Sequence, residues 1–169
     1  RTNQPMTTIR TPAKIIPRAF PGIKPDEVQE IIMNSRIRTY TPDSIVCKED
    51  AIERTFYMIL EGDFEVTKTI NNADKRLLKT LTAGDFFGEM ALIHNAPRAA
   101  TVKALTNAVL LELDKEGFDR VLKRSPSVAM AMVGEISNRL RQNDELAIED
   151  LRLRASELAD AYQQLAEQD

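Results

Sequence analysis

Between residues 37 and 114 the chain reads as short segments in which apolar side chains recur at every second position. In residues 55–60, for example, Phe56, Met58 and Leu60 fall on one face. A side-chain period of two indicates a strand with one buried face. Several such segments in close succession restrict this region to antiparallel β-structure.

Turn sequences separate these segments. Residues 61–63 (Glu-Gly-Asp) interrupt an alternation that Phe64 and Val66 resume, which predicts a β-hairpin across the turn. Residues 71–74 (Asn-Asn-Ala-Asp) and 83–85 (Ala-Gly-Asp) predict two further turns. The pattern indicates an α+β, mainly β fold: an antiparallel jelly-roll β-sandwich with short flanking helices and a long C-terminal helix.

Three parts follow one another along the chain. Residues 1–25 contain five of the eight prolines, a density unfavourable to regular helix, and are predicted to form an extended arm or linker. Residues 26–137 are predicted to form the folded domain, with a first short helix starting at Pro25. Residues 138–169 are predicted to continue a long helix that leads towards an output domain beyond the chain.

Two more helices are expected after the strands. One covers residues 115–123 with Asp114 as its N-cap, and the long helix starts at Pro126. In the second half of the long helix an apolar residue recurs every three or four positions, namely Ile148, Leu151, Ala155, Leu158, Tyr162 and Leu165. This spacing is typical of a coiled-coil seam and predicts a homodimer through the helix.

Composition argues against several classes of function. The formal net charge is -3 with both signs intermixed, which does not favour direct binding to nucleic acid. The chain lacks the long apolar run of a membrane span, and its single cysteine, Cys47, excludes an intramolecular disulfide. We therefore expect a cytoplasmic protein without direct contact to nucleic acid or membrane.

Catalysis finds little support in the sequence. A metal-dependent jelly-roll enzyme needs several histidines and a carboxylate, whereas this chain has His94 alone. His94 is interpreted as a surface residue, and Cys47, which has no recognisable catalytic partner, as a small core residue. We predict no catalytic residue, no metal site and no cofactor.

The chemistry of the chain is concentrated in residues 85–102, which read DFFGEMALIHNAPRAATV. Arg98 offers a fork of donors to an anionic phosphate, and the small residues after it leave the main chain accessible. Glu89 is a strong acceptor for a hydroxyl group, and Gly88 allows close approach of the backbone. Residues 89–92 are predicted to form a short helix. Taken singly, an arginine or a glutamate is most often a solvated surface charge.

Residues 88–92 (Gly-Glu-Met-Ala-Leu) and 97–102 (Pro-Arg-Ala-Ala-Thr-Val) together resemble the phosphate-binding cassette of cyclic nucleotide-binding domains. The family includes the regulatory subunits of cyclic-AMP-dependent protein kinase and the bacterial catabolite activator. The resemblance implies that Glu89 accepts from the ribose hydroxyl and that Arg98 binds the cyclic phosphate. It also implies that a backbone cradle is formed around Gly88, Met90, Ala91, Ala99 and Ala100.

The resemblance also bears on the base. Family members that prefer cyclic GMP commonly have a threonine after the arginine, and Ala99 in that place implies cyclic AMP, with cyclic GMP as the alternative ligand. In the catabolite activator, adenine also meets polar residues of the long helix, which match Asn143 and Asp144 here. The alternative interpretation of these two residues is a polar interruption that sets the register of the seam.

The chain departs from the family pattern at two turns. Residues 49–51 (Glu-Asp-Ala) stand where many members have a glycine, and Pro42-Asp43 replaces a frequent Pro-Gly. Aspartate tolerates turn geometry, and both turns are expected to lie away from the cassette.

The interpretation is a regulatory sensor that couples ligand binding to movement of its C-terminal helix. Two alternatives stay open. One is a ligand-free jelly-roll dimerisation module, and the other is the sensor half of a DNA-binding regulator whose output domain is absent from this sequence.

Overall fold

The computed structural model describes residues 4–71 and 74–168. The strands among them are β1 (Arg36–Tyr40), β2 (Ile45–Cys47), β3 (Thr55–Glu61), β4 (Phe64–Ile70), β5 (Asp74–Leu81), β6 (Phe86–Phe87), β7 (Thr101–Ala104) and β8 (Ala108–Asp114). The helices are α1 (Gln4–Ala19), α2 (Pro25–Met33), α3 (Glu89–Ile93), α4 (Lys115–Arg124) and α5 (Pro126–Gln168).

The strands form two four-stranded sheets, which confirms the predicted antiparallel sandwich. One sheet has the order β1-β8-β3-β6 and the other β2-β7-β4-β5, with antiparallel pairing between neighbours. An apolar cluster lies between them; its buried members are Cys47, Tyr57, Ile59, Phe64, Val66, Leu81, Val102, Ala104, Ala108 and Leu110. In β3 the residues of this cluster are Tyr57 and Ile59, so the face marked by the sequence, Phe56, Met58 and Leu60, is the opposite one. That face is buried as well, and Phe56 contacts Phe118 of α4 there.

The predicted hairpin across residues 61–63 is wrong. β3 belongs to one sheet and β4 to the other, so the chain changes sheets at this turn. Gly62 has φ +97°, and a Cβ there would lie 2.7 Å from the carbonyl oxygen of Asn107. The alternation of side chains is the same whether a turn joins two paired strands of one sheet or carries the chain from one sheet to the other. Only the pairing partners of the strands distinguish these two cases.

The second predicted turn does connect a hairpin. Ile70 pairs with Asp74, and β4 and β5 run antiparallel from there. Asn72 and Ala73, which complete the predicted turn sequence, lie outside the described residues.

The N-terminal part is helical, so the prediction of an extended arm over residues 1–25 is wrong for α1. Pro12 and Pro17 lie inside this helix. An interior proline costs about 3 kcal/mol, but burial of one large apolar side chain contributes roughly 1.5–3 kcal/mol. Ile15, Ile16 and Phe20 are all buried. Their burial offsets the backbone hydrogen bonds that the two prolines cannot donate.

A row of phenylalanine rings connects α1 to the sandwich. Phe20 stacks on Phe86 with ring centroids 5.4 Å apart. Phe86 in turn contacts Phe56 at 5.5 Å, and Phe56 contacts Phe118 of α4 at 5.3 Å. Since Phe86 lies in β6, directly before the cassette, these ring contacts hold the strand that leads into the cassette.

A buried carboxylate fastens α2 to the junction between α4 and α5. Glu27 is 4% exposed and accepts hydrogen bonds from Ser125 Oγ at 2.6 Å and from both the backbone N and Oγ of Ser127 at 3.0 Å. These bonds, that from Ser125 foremost, outweigh the effect of burial and lower the pKa of Glu27 to about 2. At the other end of α4, Asp114 Oδ1 accepts from Gly117 N at 2.7 Å, which confirms the predicted N-cap.

The chain divides into two compact units, one up to Ala129 and one from Met130 onward. The second unit is the greater part of α5. The apolar positions of its seam are exposed in the single chain, as in Leu151 at 66% and Leu158 at 63%. Within residues 4–71 and 74–168, every helix is too short or too polar to cross a membrane.

Candidate functional site

The cassette begins at a glycine that the geometry requires. Gly88 separates β6 from α3 and has φ +92°, a region that favours glycine. A Cβ at this position would lie 2.5 Å from Nη1 of Arg98 and 2.7 Å from the carbonyl oxygen of Thr55. The missing side chain therefore makes room for the guanidinium.

Arg98 is buried, with 5% of its surface exposed, and its side chain is held on several sides. Nη2 donates to the carbonyl oxygen of Thr55 at 2.6 Å and to Oε1 of Glu53 at 2.9 Å. Nη1 donates to the carbonyl oxygen of Gly88 at 3.2 Å, and Cζ lies 5.6 Å from the ring centroid of Tyr57. The guanidinium is thus fixed by the protein itself.

These bonds leave part of the guanidinium available. An arginine has five N–H donors, and the three bonds described use both of those on Nη2 and one on Nη1. Nε is buried and has no hydrogen-bond partner among the described residues. Buried donors are normally paired, so this arrangement suits an anion that accepts from Nε and Nη1.

The backbone of Arg98 is fixed by the loop between β2 and β3. Its N–H donates to the carbonyl oxygen of Ala51 at 2.9 Å, and its carbonyl oxygen accepts from the N–H of Asp50 at 2.8 Å. The expectation that residues 49–51 lie away from the cassette is therefore wrong. Asp50 adopts φ +70°, as a glycine would, and Asp43 likewise has φ +69°.

Glu53 is the residue of this site that sequence reasoning missed. Besides Arg98, its Oε1 accepts from the Tyr57 hydroxyl at 2.9 Å and from Cys47 Sγ at 3.7 Å. Burial raises the pKa of the Cys47 thiol to about 12 and that of Tyr57 above its usual value, so both groups stay protonated donors. No motif signals Glu53, because it meets Arg98 from 45 residues away in the chain.

The other predicted residues lie before and after Arg98 in the chain and differ in burial. Glu89 opens α3 and is 2% exposed, next in the chain to Gly88, whose carbonyl oxygen contacts Arg98. Of the predicted backbone cradle, Ala91 is buried, Met90 and Ala100 are half-buried and Ala99 is exposed. Asn143 lies on α5, and its side chain is outside the described residues.

The two residues considered for catalysis take other places. His94 is exposed at the C-terminal end of α3, as predicted for a surface residue. Cys47 is 2% exposed within the core cluster, which confirms its predicted core position. Across the part of the chain that the structure describes, no group of three or more His, Cys, Asp or Glu residues is placed to hold a metal ion.

Known proteins share this sequence pattern and this fold. The family model described as cyclic nucleotide-binding domain matches residues 37–125, more than half of the chain. A cAMP-dependent protein kinase regulatory subunit from Schizosaccharomyces pombe is 40% identical over 103 residues, which cover 57% of this chain and 24% of that protein.

Two solved structures are similar over a larger share of the chain. The catabolite activator protein of Thermus thermophilus superposes with a TM-score of 0.70 at 27% identity, covering 75% of this chain and 60% of that one. The regulatory domain of Toxoplasma gondii PKA, in a co-crystal with cAMP, gives a TM-score of 0.62 at 25% identity, covering 68% and 44%. Compared with the curated kinase regulatory subunits that match its sequence, the chain spans about a quarter of their length.

Gly88→Ala should destabilise the protein because the new Cβ collides with Arg98 and Thr55 and because φ is positive. We expect a loss of about 1–3 kcal/mol in the free energy of unfolding, measured by chemical denaturation. Gly134→Ala is the control, because a Cβ there meets nothing within 4 Å and alanine favours helix. Equal unfolding curves for Gly88→Ala and wild type would contradict the described geometry.

Proposed function

The chain belongs to the cyclic nucleotide-binding domain family, and from this membership we propose that its pocket binds a cyclic nucleotide, cyclic AMP in preference to cyclic GMP. The resemblance predicted from the cassette is confirmed by the family match and by the kinase regulatory subunits. The observation that carries the proposal is the buried Arg98 with an unused Nε–H, bonded to the carbonyl oxygen of Gly88, which directly precedes the buried Glu89. The proposed role is binding and regulation, without a catalytic step.

The cyclic phosphate is a monoanion and accepts from Nε and from the remaining proton of Nη1 of Arg98. Glu89 accepts from the ribose 2′-hydroxyl, an interaction that a carboxylate makes well when water is excluded. The backbone of the surrounding residues completes the cradle, at Gly88, Met90, Ala91, Ala99 and Ala100. Preformed bonds to Thr55 and Glu53 support binding, since the guanidinium need not be ordered by the ligand.

The preference for cyclic AMP rests on Ala99. Its methyl side chain is exposed and offers no hydrogen bond to a guanine. The related Toxoplasma domain was crystallised with cAMP. A contact from Asn143 to the adenine belongs to the same proposal, because an amide presents both a donor and an acceptor to the base edge.

Titration calorimetry with cyclic AMP and cyclic GMP, side by side, tests the ligand. We expect wild type to bind cyclic AMP more tightly, and Arg98→Ala to lose about 2–5 kcal/mol of binding free energy, because a buried charged partner is removed. Arg76→Ala, which removes an exposed arginine of β5, should bind like wild type. Unchanged affinity in Arg98→Ala would refute the assignment.

The role of Glu89 is tested by the ligand's own hydroxyl. 2′-Deoxy cyclic AMP should bind wild type about 1–3 kcal/mol more weakly than cyclic AMP, because the buried acceptor loses its donor. In Glu89→Ala the two ligands should bind with nearly equal affinity. A difference that persists undiminished in Glu89→Ala would place the 2′-hydroxyl on another residue.

The long helix is proposed as the output of the sensor. Ligand binding would shift α5 between two states and so move the second unit, which pairs with its copy in a homodimer. Six seam positions at steps of three and four support the pairing, and the large apolar ones among them are exposed in the single chain. Fusion to a DNA-binding output is the alternative that the similarity to the Thermus activator suggests.

Light scattering tests the pairing of the seam. We expect wild type to have twice the chain mass and Leu158→Asp to shift towards the monomer, because a charge in the seam opposes burial. Leu153→Asp is the matched control: Leu153 is 60% exposed on the same helix but lies outside the seam. Loss of the dimer in both variants, or in neither, would contradict a seam-specific interface.

A further inference from the structure

The carboxylate of Glu53 shares the guanidinium that the proposed ligand uses. We propose that Glu53 is a specificity-determining residue, which favours a monoanionic cyclic phosphodiester over a dianionic phosphate monoester. The inference rests on the proposed function, because it concerns the same pocket. It adds a residue outside residues 88–92 and 97–102, which carry the family resemblance.

Glu53 is positioned to stay beside Arg98 when a ligand is present. It bonds to Nη2, whereas the unused donors are on Nε and Nη1. The guanidinium is also held by the carbonyl oxygens of Thr55 and Gly88, so it has little freedom to turn away from Glu53. A bound phosphate and the Glu53 carboxylate would therefore lie on two edges of one guanidinium.

The charges of the pocket favour a ligand with a single negative charge. Arg98 contributes one positive charge, and the carboxylates of Glu53 and Glu89 contribute two negative charges. A cyclic phosphodiester adds one more, whereas a phosphate monoester adds nearly two at neutral pH, because its second pKa is about 6. Repulsion from Glu53 grows in proportion to the ligand charge and so penalises the monoester more.

Among the described residues, the groups bonded to Glu53 add no positive charge beyond that of Arg98. Tyr57 and Cys47 are neutral donors, and Arg98 is the one cation bonded to Glu53 within residues 4–71 and 74–168. The Glu53 side chain is 34% exposed while that of Arg98 is 5% exposed. Solvent therefore weakens the repulsion without removing it.

The test compares cyclic AMP with 5′-AMP on wild type and Glu53→Gln, by competition against a fluorescent cyclic AMP analogue. Glutamine keeps an acceptor oxygen for Arg98 and Tyr57 but carries no charge. We expect the ratio of the dissociation constants, 5′-AMP over cyclic AMP, to fall about three- to tenfold in Glu53→Gln. A purely structural role would weaken both ligands and leave the ratio unchanged.

Glu65→Gln is the matched control, because it removes the same charge from a glutamate that pairs with Lys103 instead of Arg98. Its ratio should equal that of wild type. If Glu53→Gln rejects 5′-AMP as strongly as wild type does, the inference is overturned while the proposed function stands. If wild type does not bind cyclic AMP at all, the proposed function itself fails.

Discussion

Burying a guanidinium is costly unless acceptors surround it, and Arg98 shows how this fold meets that demand. Two backbone carbonyl oxygens and one carboxylate accept from it, and a tyrosine ring faces it. The acceptors come from β3, from the loop before β3 and from the glycine after β6. The pairing of β3 with β6 brings these elements together, so the sheet β1-β8-β3-β6 also positions the acceptors of the Arg98 guanidinium.

The sequence predicts well what lies close together in the chain. The strands, the N-cap at Asp114, the short helix at Glu89 and the cassette are all encoded within a few residues, where side-chain period and turn chemistry act directly. Contacts across long separations had no such signal. Glu53 and Asp50 contact Arg98 from the loop between β2 and β3. The contact of Asp50 is made by its backbone N–H, which every residue except proline carries.

Two errors of the sequence reasoning have physical causes of their own. The corner at Gly62 has the local pattern of a hairpin, and only the assignment of β3 and β4 to different sheets shows that it is not one. The prolines of α1 are unfavourable to a helix, but propensity is a weak term beside tertiary burial. Ile15 and Ile16 of α1 and Phe20 directly after it are buried against the rest of the protein, and the density of prolines gives no sign of this burial.

The aromatic row and the Glu27 carboxylate have a consequence for where the molecule can be divided. The family match begins at residue 37, yet Phe86 is stacked on Phe20, and Ser125 and Ser127 are bonded to Glu27. A fragment trimmed to residues 37–125 would expose the face of Phe86 that Phe20 covers and would leave the Ser125 hydroxyl without its carboxylate acceptor. The segment that the family model recognises is therefore shorter than the segment whose side chains pack together, which also includes Phe20, Glu27 and Ser127.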